Sequence, residues 1–150
     1  MTREEKELLL RDLCARLPYG VKVKVVNEDI LFYNSEEGFI VGKESINDDC
    51  FIIQCSIDSY VLSYVDFKPY LFPLSSLTEE QRNYISKLLI DTQNEFPPYG
   101  ELNAKGCDNL FVCSVKQANV LINYCLANHL DINGLIEKGL AIDATGLDIY

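Results

Sequence analysis

The sequence predicts an α+β domain with an N-terminal helix, a curled antiparallel meander of about five short strands, and two main helices packed on that sheet. Three observations support this order. A charged segment with helically spaced apolar residues opens the chain, short β-rich segments separated by turn residues follow, and two segments with helix-capping residues come later. The chain has 150 residues, 48% of them hydrophobic and 24% charged, so a single domain over residues 1–150 is expected.

The first helix is predicted to run from Thr2 to about Arg16. Thr2 and Glu5 match a capping box, in which each side chain bonds the backbone N–H of the other residue. One apolar stripe follows at helical spacing, formed by Leu9, Leu10, Leu13, Cys14 and Leu17. The charged residues of this helix, including Asp12, are expected to be mostly solvated, and Pro18-Tyr19-Gly20 ends the helix in a turn.

Five short segments are predicted to form the sheet. Val21–Val25 alternates valines with lysines, which is typical of a strand with one buried face. The other segments are Ile30–Tyr33, Phe39–Val41, Cys50–Cys55 and Tyr60–Phe67, with turn residues between them. Several are apolar on both faces, which indicates a strongly curled sheet or one that a helix covers. Pro69 and Pro73 are expected to end the sheet, because proline is disfavoured both in a helix and in a central strand.

Two further helices are predicted after the sheet. Thr78 and Gln81 match a second capping box, and the helix that follows runs to about Thr92. Its core-facing residues are expected to be Tyr84, Ile85, Leu88 and Leu89. Ser114 begins the next helix, which ends near Leu130. The apolar face of this helix is expected to comprise Leu121, Ile122, Cys125 and Leu126.

The connecting segments carry weaker patterns. Residues 93–108 show no period, and a loop of this length is usually functional or mobile. A short strand is expected over 109–113. Near the end of the sequence, a helical turn over 135–138 closes on Gly139, and residues 140–143 are expected to add an edge strand.

Two blocks of the sequence resemble a known group of proteins. The first runs from Lys68 through the Pro69-Tyr70-Leu71-Phe72-Pro73 stretch to Gln81, and the second is Gly134–Ala141. Both are similar to blocks in small uncharacterised proteins of gut bacteria. This resemblance implies a bacterial or phage-like origin and implies no activity, cofactor or site.

The net charge of −10 is distributed unevenly. Between Asn27 and Asp66 nine acidic residues accompany only Lys43, which gives this segment a charge of −8. Phosphate backbones are repelled by such a surface, so direct nucleic-acid binding is not expected, whereas a basic protein partner would be attracted. The candidate contact residues are two acidic turn pairs expected at one end of the meander: Glu28, Asp29, Asp48 and Asp49. The alternative is that these acids only keep the sheet edges in solution.

Candidates for catalysis and metal binding are few, and no catalytic, cofactor or metal site is assigned. The single histidine, His129, follows Cys125 by one helical turn, but a cysteine nucleophile also needs an oriented base and a shared substrate site. The favoured roles are a core position for Cys125 and, for His129, a cation or hydrogen-bond donor near the helix end. Cys107 and Cys113 could join these two around zinc, but their spacing matches structural zinc sites poorly. The six cysteines are expected to be free thiols in a cytoplasmic protein without a membrane segment.

Three functions remain open. The first is a non-enzymatic acidic interaction protein, such as an inhibitor, an immunity protein or a mobile-element accessory protein, that binds a basic partner. The second is a small hydrolase or transferase that uses residues 93–108 as a lid. The third is a homo-oligomer subunit that associates through Pro69–Pro73, where Tyr70 and Phe72 are candidate interface anchors. The same two aromatic residues could instead pack a helix onto the sheet.

Overall fold

A computed structural model describes residues 1–27, 37–47, 49–56, 58–91 and 115–150. It confirms the α+β class, with an N-terminal helix, a largely antiparallel sheet and further helices. The chain divides into two compact units, one comprising Met1–Ser76 with Cys125–Tyr150 and the other Leu77–Tyr124. The helices are α1 (Arg3–Arg16), α2 (Glu79–Asp91) and α3 (Val115–Ala127). The strands are β1 (Lys22–Val25), β2 (Glu37–Lys43), β3 (Cys50–Gln54), β4 (Ser59–Ser63), β5 (Phe67–Leu71) and β6 (Ile142–Asp143).

The strands lie in the order β4-β3-β2-β1-β5-β6, so β5 returns beside β1 instead of continuing a simple meander. Only residues 64–66 join β4 to β5, although four strand spacings separate these two strands. Four residue steps reach at most ~14 Å, whereas four spacings in a flat sheet would need ~19 Å. The sheet is therefore strongly curled, as the two-sided apolar strands predict.

The single strand predicted over Tyr60–Phe67 is wrong, because a tight turn divides it. Asp66 N–H donates to the Ser63 carbonyl at 2.9 Å, and Ser63 N–H donates to the Asp66 carboxylate at 3.2 Å. The Asp66 carboxylate also accepts a hydrogen bond from the Asn27 side chain at 2.7 Å. Such side-chain bonds to nearby backbone groups stabilise a turn in place of a continued strand.

Pro69 lies within β5, between β1 and β6, so the prediction that the prolines end the sheet is wrong at this position. Val26 N–H donates to the Asp66 carbonyl at 2.8 Å, so Val26 and Asp66 form a hydrogen-bonded pair. The next pair, Val25 and Phe67, is therefore non-hydrogen-bonded. Because the two kinds of pair alternate, Val23 and Pro69 also form a non-hydrogen-bonded pair. The proline nitrogen therefore points away from β1, and β6 pairs only with the last two residues of β5.

The core of the larger unit lies between α1 and the inner face of the curled sheet. Leu9 and Leu13 of α1 are buried, which confirms the predicted stripe, and the capping box at Thr2 is formed. Phe51 and Phe67 meet edge to face, with ring centroids 6.0 Å apart. The other fully buried residues of this core include Val21, just before β1, and the strand residues Val23, Ile40, Ile53 and Leu71.

A buried ion pair on α1 is the main departure from its predicted pattern. The side chains of Asp12 and Arg16 are 0% exposed, and Arg16 donates to both carboxylate oxygens at 2.6 and 3.1 Å. Arg16 also donates to the Leu130 carbonyl at 2.7 Å, and Asn133 donates to Asp12 at 2.7 Å. The expectation that Asp12 faces solvent is wrong, because the segment around residues 130–133 covers this side of α1.

The segment that follows α3 forms a turn over 135–139 and the predicted edge strand. Asp131 accepts hydrogen bonds from the N–H groups of Leu135 and Ile136, at 2.9 and 2.8 Å, and so begins the turn over 135–139. Gly139 has φ +68°, a left-handed conformation that favours glycine and ends the turn. β6 then pairs in parallel with the end of β5, at the edge of the sheet.

In the Leu77–Tyr124 unit, the capping box at the start of α2 is present. Thr78 N–H donates to the Gln81 side chain at 2.9 Å, and Gln81 N–H donates to the Thr78 hydroxyl at 3.2 Å. Tyr84 is 48% exposed and Ile122 of α3 is 43% exposed, so their predicted core positions are wrong. The strands predicted over 30–33 and 109–113, and the loop 93–108, lie outside the described residues.

No helix within the described ranges is long enough and apolar enough to cross a membrane.

Candidate functional site

An aromatic slot in the larger unit holds the side chain of Tyr150. The Tyr150 ring stacks on the His129 imidazole with centroids 3.8 Å apart and planes 9° apart, and the Phe72 ring lies 5.9 Å away. The Tyr150 hydroxyl donates to the Tyr70 carbonyl at 2.9 Å and accepts from the Lys22 N–H at 3.2 Å. We call this set of groups the Tyr150 slot.

Burial keeps the Tyr150 phenol in its neutral form. Tyr150 is 48% exposed as a residue, so the slot covers one ring face and the hydroxyl but leaves the rest open. Burial raises the pKa of Tyr150 to about 12, against smaller lowering effects of the Lys22 N–H and the Arg16 charge. The slot therefore holds a neutral phenol that acts as both donor and acceptor.

His129 sits beyond the last residue of α3 in a left-handed conformation, with φ +54°. It is 8% exposed, and its backbone carbonyl accepts from the Phe72 N–H at 2.9 Å. Burial first, and the Arg16 charge second, lower the pKa of His129 to about 4. The imidazole is thus neutral near pH 7. Of its two predicted roles at the helix end, cation or hydrogen-bond donor, the cation is wrong because the side chain is desolvated beside a guanidinium.

The Cys125–His129 pair does not present an activated nucleophile. Cys125 is 5% exposed, and burial raises the pKa of its thiol, so the reactive thiolate is disfavoured. The other two zinc candidates, Cys107 and Cys113, lie outside the described residues. Within the part of the chain that the structure describes, no three His, Cys, Asp or Glu side chains are grouped to hold a metal ion, and Cys14, Cys50, Cys55 and Cys125 are free thiols.

The structure brings Tyr70 and Phe72 to the Tyr150 slot. Tyr70 is 5% exposed, and its hydroxyl donates to Glu37 at 2.7 Å. Its backbone carbonyl accepts the hydrogen bond from the Tyr150 hydroxyl. Phe72 is half-buried. Its N–H and carbonyl bond the backbone of residues 129 and 131, at 2.9 and 2.8 Å. Both residues are thus engaged within the unit, and their role in a protein interface stays a prediction.

The acidic turn pairs are described only in part. Glu28, Asp29 and Asp48 lie outside the described residues, and Asp49 is exposed at the start of β3. Glu37 lies 2.8 Å from Lys22 Nζ, and hydrogen bonds from this lysine and from Tyr70 lower the pKa of its carboxyl group.

Two more acidic residues between Asn27 and Asp66 accept hydrogen bonds that stabilise turns. Glu44 accepts from the N–H groups of Ser45 and Ile46, at 2.8 and 3.3 Å, and Asp66 stabilises the turn between β4 and β5. Local structure therefore accounts for part of the −8 charge of this segment.

A groove of about 770 Å³ lies on the Leu77–Tyr124 unit and is lined by residues of α2 and α3. The rings of Tyr84 and Tyr124 meet in it with centroids 4.9 Å apart and planes tilted by 34°. Glu79 and Glu80 line the end of the groove at the start of α2, and Lys87 lies two turns further along the helix. Thr78 and Gln81 already supply the helix cap, so the two glutamates are not required for capping.

Sequence reasoning missed Tyr150, Arg16 and the Tyr84–Tyr124 pair as members of these sites. The i, i+4 spacing of Asp12 and Arg16 was a usable signal for an ion pair, but it does not show that the pair is buried. The other members are far apart in sequence, and no local pattern joins residue 150 to residues 22, 70 and 129.

Comparisons with protein-family models, with curated proteins and with solved structures find no match to this chain. Its resemblance to small proteins of gut bacteria stays a prediction. Function is therefore inferred from the chemistry of the described residues.

Proposed function

We propose that this chain is a non-catalytic interaction protein that binds a basic segment of a partner protein in the groove lined by α2 and α3. The observation that carries the proposal is the tyrosine pair of exposed Tyr84 and half-buried Tyr124, in a groove that Glu79 and Glu80 also line. An aromatic face and a carboxylate together favour a lysine ammonium or an arginine guanidinium.

The charge of the whole chain supports a basic partner. A net charge of −10 attracts cationic segments over a distance and raises their rate of encounter at low salt. The groove then supplies the short-range contacts, because Tyr84 remains 48% exposed and is open to a ligand from solvent. Each cation–π contact at such an exposed site is worth only about 0.5–1 kcal/mol, so several basic residues are needed for specific binding.

The reactive groups favour binding over catalysis. The thiol of Cys125 is buried and held in its neutral form, and His129 is enclosed between Tyr150 and the body of its unit. A hydrolase or transferase that uses residues 93–108 as a lid would draw on a segment outside the described residues. The groove needs no reactive group to act as a binding site.

The test is binding of a lysine-rich peptide of about ten residues, with a glutamate-rich peptide of equal length as the negative ligand. The Kd should rise by about three- to tenfold in the double variant Glu79→Gln, Glu80→Gln, because two carboxylates near the cation are neutralised. Tyr84→Ala should raise it by about two- to fivefold through loss of the aromatic face.

The matched control is the double variant Glu137→Gln, Asp148→Asn, which removes the same charge from exposed positions of the other unit. It should change the Kd by less than about twofold, because neither residue lines the groove and exposed charges are screened at physiological salt. Equal losses in the control and groove variants would show that net charge alone attracts the peptide. Binding that is unaffected by raising the salt concentration would also contradict the proposal.

A further inference from the structure

The Tyr150 slot has the features of a ligand site that the chain fills with its own side chain. A flat imidazole face covers one side of the ring, and two backbone groups meet the hydroxyl at its far end. The Tyr70 carbonyl accepts and the Lys22 N–H donates, so the site recognises a group that is both donor and acceptor. A phenol meets these requirements, whereas a plain benzene ring lacks the hydroxyl.

We propose that the Tyr150 slot is a binding site for a phenol group, which Tyr150 occupies within the chain and vacates for a phenolic ligand. This proposal concerns the larger unit and is independent of the groove on the Leu77–Tyr124 unit. The ligand is either a free phenolic molecule or a tyrosine side chain of another polypeptide, since both present the same group.

The segment that carries Tyr150 has the structure of a short tether. Residues 145–148 are exposed, and Gly146 has φ +76°, a conformation that favours glycine. Hydrogen bonds in this stretch are local: Thr145 N–H donates to Asp143 at 2.8 Å, and Leu147 N–H donates to the Ala144 carbonyl at 3.0 Å. Ala144 N–H, by contrast, donates to the Leu71 carbonyl at 2.9 Å, so the anchored part of the chain ends there.

The tether also explains why a ligand must compete with Tyr150. For a group held by a short linker, the effective concentration at its site is of the order of millimolar. A free phenol of similar intrinsic affinity therefore fills the slot only at high concentration in the wild-type protein. Removing the Tyr150 ring removes that competitor and leaves the hydrogen-bonding groups of Tyr70 and Lys22 in place.

The experiment follows the single histidine of the chain by NMR, because His129 forms one wall of the slot. In the wild-type protein, the stacked Tyr150 ring should shift the imidazole proton signals upfield. Tyr150→Ala should abolish this shift, and millimolar p-cresol should restore it. Toluene, which lacks the hydroxyl, should bind this variant at least about fivefold more weakly, because it cannot bond the Tyr70 carbonyl or the Lys22 N–H.

A peptide with the sequence of residues 144–150 distinguishes the two sources of the phenol. If both p-cresol and the peptide restore the His129 shift in Tyr150→Ala, the slot accepts a tyrosine from another polypeptide. If p-cresol alone does so, the ligand is a small phenol. If neither changes the His129 signals up to about 20 mM, the proposal is wrong.

Tyr150→Phe keeps the test valid if the alanine variant does not fold. The phenylalanine ring can still stack on His129 but cannot bond Tyr70 or Lys22, so p-cresol should displace it at a concentration about five- to tenfold lower than in the wild-type protein. An equal requirement for p-cresol in the Tyr150→Phe and wild-type proteins would contradict recognition of the hydroxyl.

Discussion

Replacing His129 with asparagine should remove a pH-dependent part of the stability of the larger unit. His129 is 8% exposed, lies against the Tyr150 ring, and has no hydrogen-bond partner for Nδ1 in the described structure. Asparagine suits this position because it tolerates the left-handed backbone, here φ +54°, better than most residues and does not titrate. The comparison therefore isolates the imidazole without adding backbone strain.

The magnitude follows from the pKa of His129, which is about 4 in the folded protein against an ordinary value of 6.5. As the pH falls through 6.5, the unfolded chain takes up a proton that the folded protein does not bind, so the folded state loses stability. The loss grows until the pH reaches about 4 and then stops, because the folded imidazole is also protonated there. At 1.36 kcal/mol per pKa unit the full loss is about 3 kcal/mol, of which about 2 kcal/mol is lost between pH 7 and 5.

The charged groups around the imidazole support this sign. Arg16 adds positive charge on the side of α1, and its partner Asp12 is already engaged by two of its nitrogens. Tyr150 is neutral over the whole range, because the pKa of its hydroxyl is about 12. A protonated His129 would thus be buried beside a like charge.

The assay is urea unfolding of both proteins at several pH values from 7 to 5. The wild-type free energy of unfolding minus that of His129→Asn should fall by about 2 kcal/mol over this range. Carboxylates that titrate below pH 5 affect both proteins and cancel in the difference. NMR titration of the single histidine should give a midpoint near pH 4 in the folded protein.

A difference that stays constant with pH would refute desolvation of the imidazole. A difference that grows as the pH falls would show that His129 is stabilised as a cation, in conflict with its position beside Arg16.

Two further predictions concern packing and the buried ion pair. Gly38→Ala should lower the free energy of unfolding by about 1–3 kcal/mol, because the new Cβ would lie 2.7 Å from Ile53 Cγ2 and 2.8 Å from the Gln54 carbonyl oxygen. The control is Gly42→Ala, whose new Cβ would have its nearest neighbour 3.5 Å away. In urea unfolding, the control should lose less stability than Gly38→Ala. Arg16→Met alone should cost about 3–5 kcal/mol, because it leaves the Asp12 carboxylate buried without its cation. The double variant Arg16→Met, Asp12→Leu should recover much of that loss in thermal unfolding, and a double variant as unstable as the single one would contradict this account.

The elements of the fold were predictable where a local pattern decides them. The capping boxes at Thr2 and Thr78, the leucine stripe of α1 and the alternation of β1 all involve residues within about one or two turns or strand steps of each other. The curl of the sheet was also predictable, because strands that are apolar on both faces need burial on both.

Predictions failed where a distant partner decides the environment. Pro69 was tolerated because its nitrogen faces away from β1, a fact of strand order and hydrogen-bond phase. Asp12 was buried because the segment around Leu130 and Asn133 covers α1, more than 110 residues further along the chain. The exposed position of Tyr84 likewise depends on what packs against α2.

By itself the sequence determined the fold class, the first helix and its N-terminal cap, most strand positions, and the acidic net charge. These properties arise from neighbouring residues or from composition, so they need no knowledge of the folded chain. Only the tertiary structure decided that β5 lies beside β1, that His129 is a neutral buried base, and that Tyr150 fills a slot beneath it. The physical reason is that desolvation, hydrogen-bond phase and ring stacking depend on which distant groups the fold brings into contact.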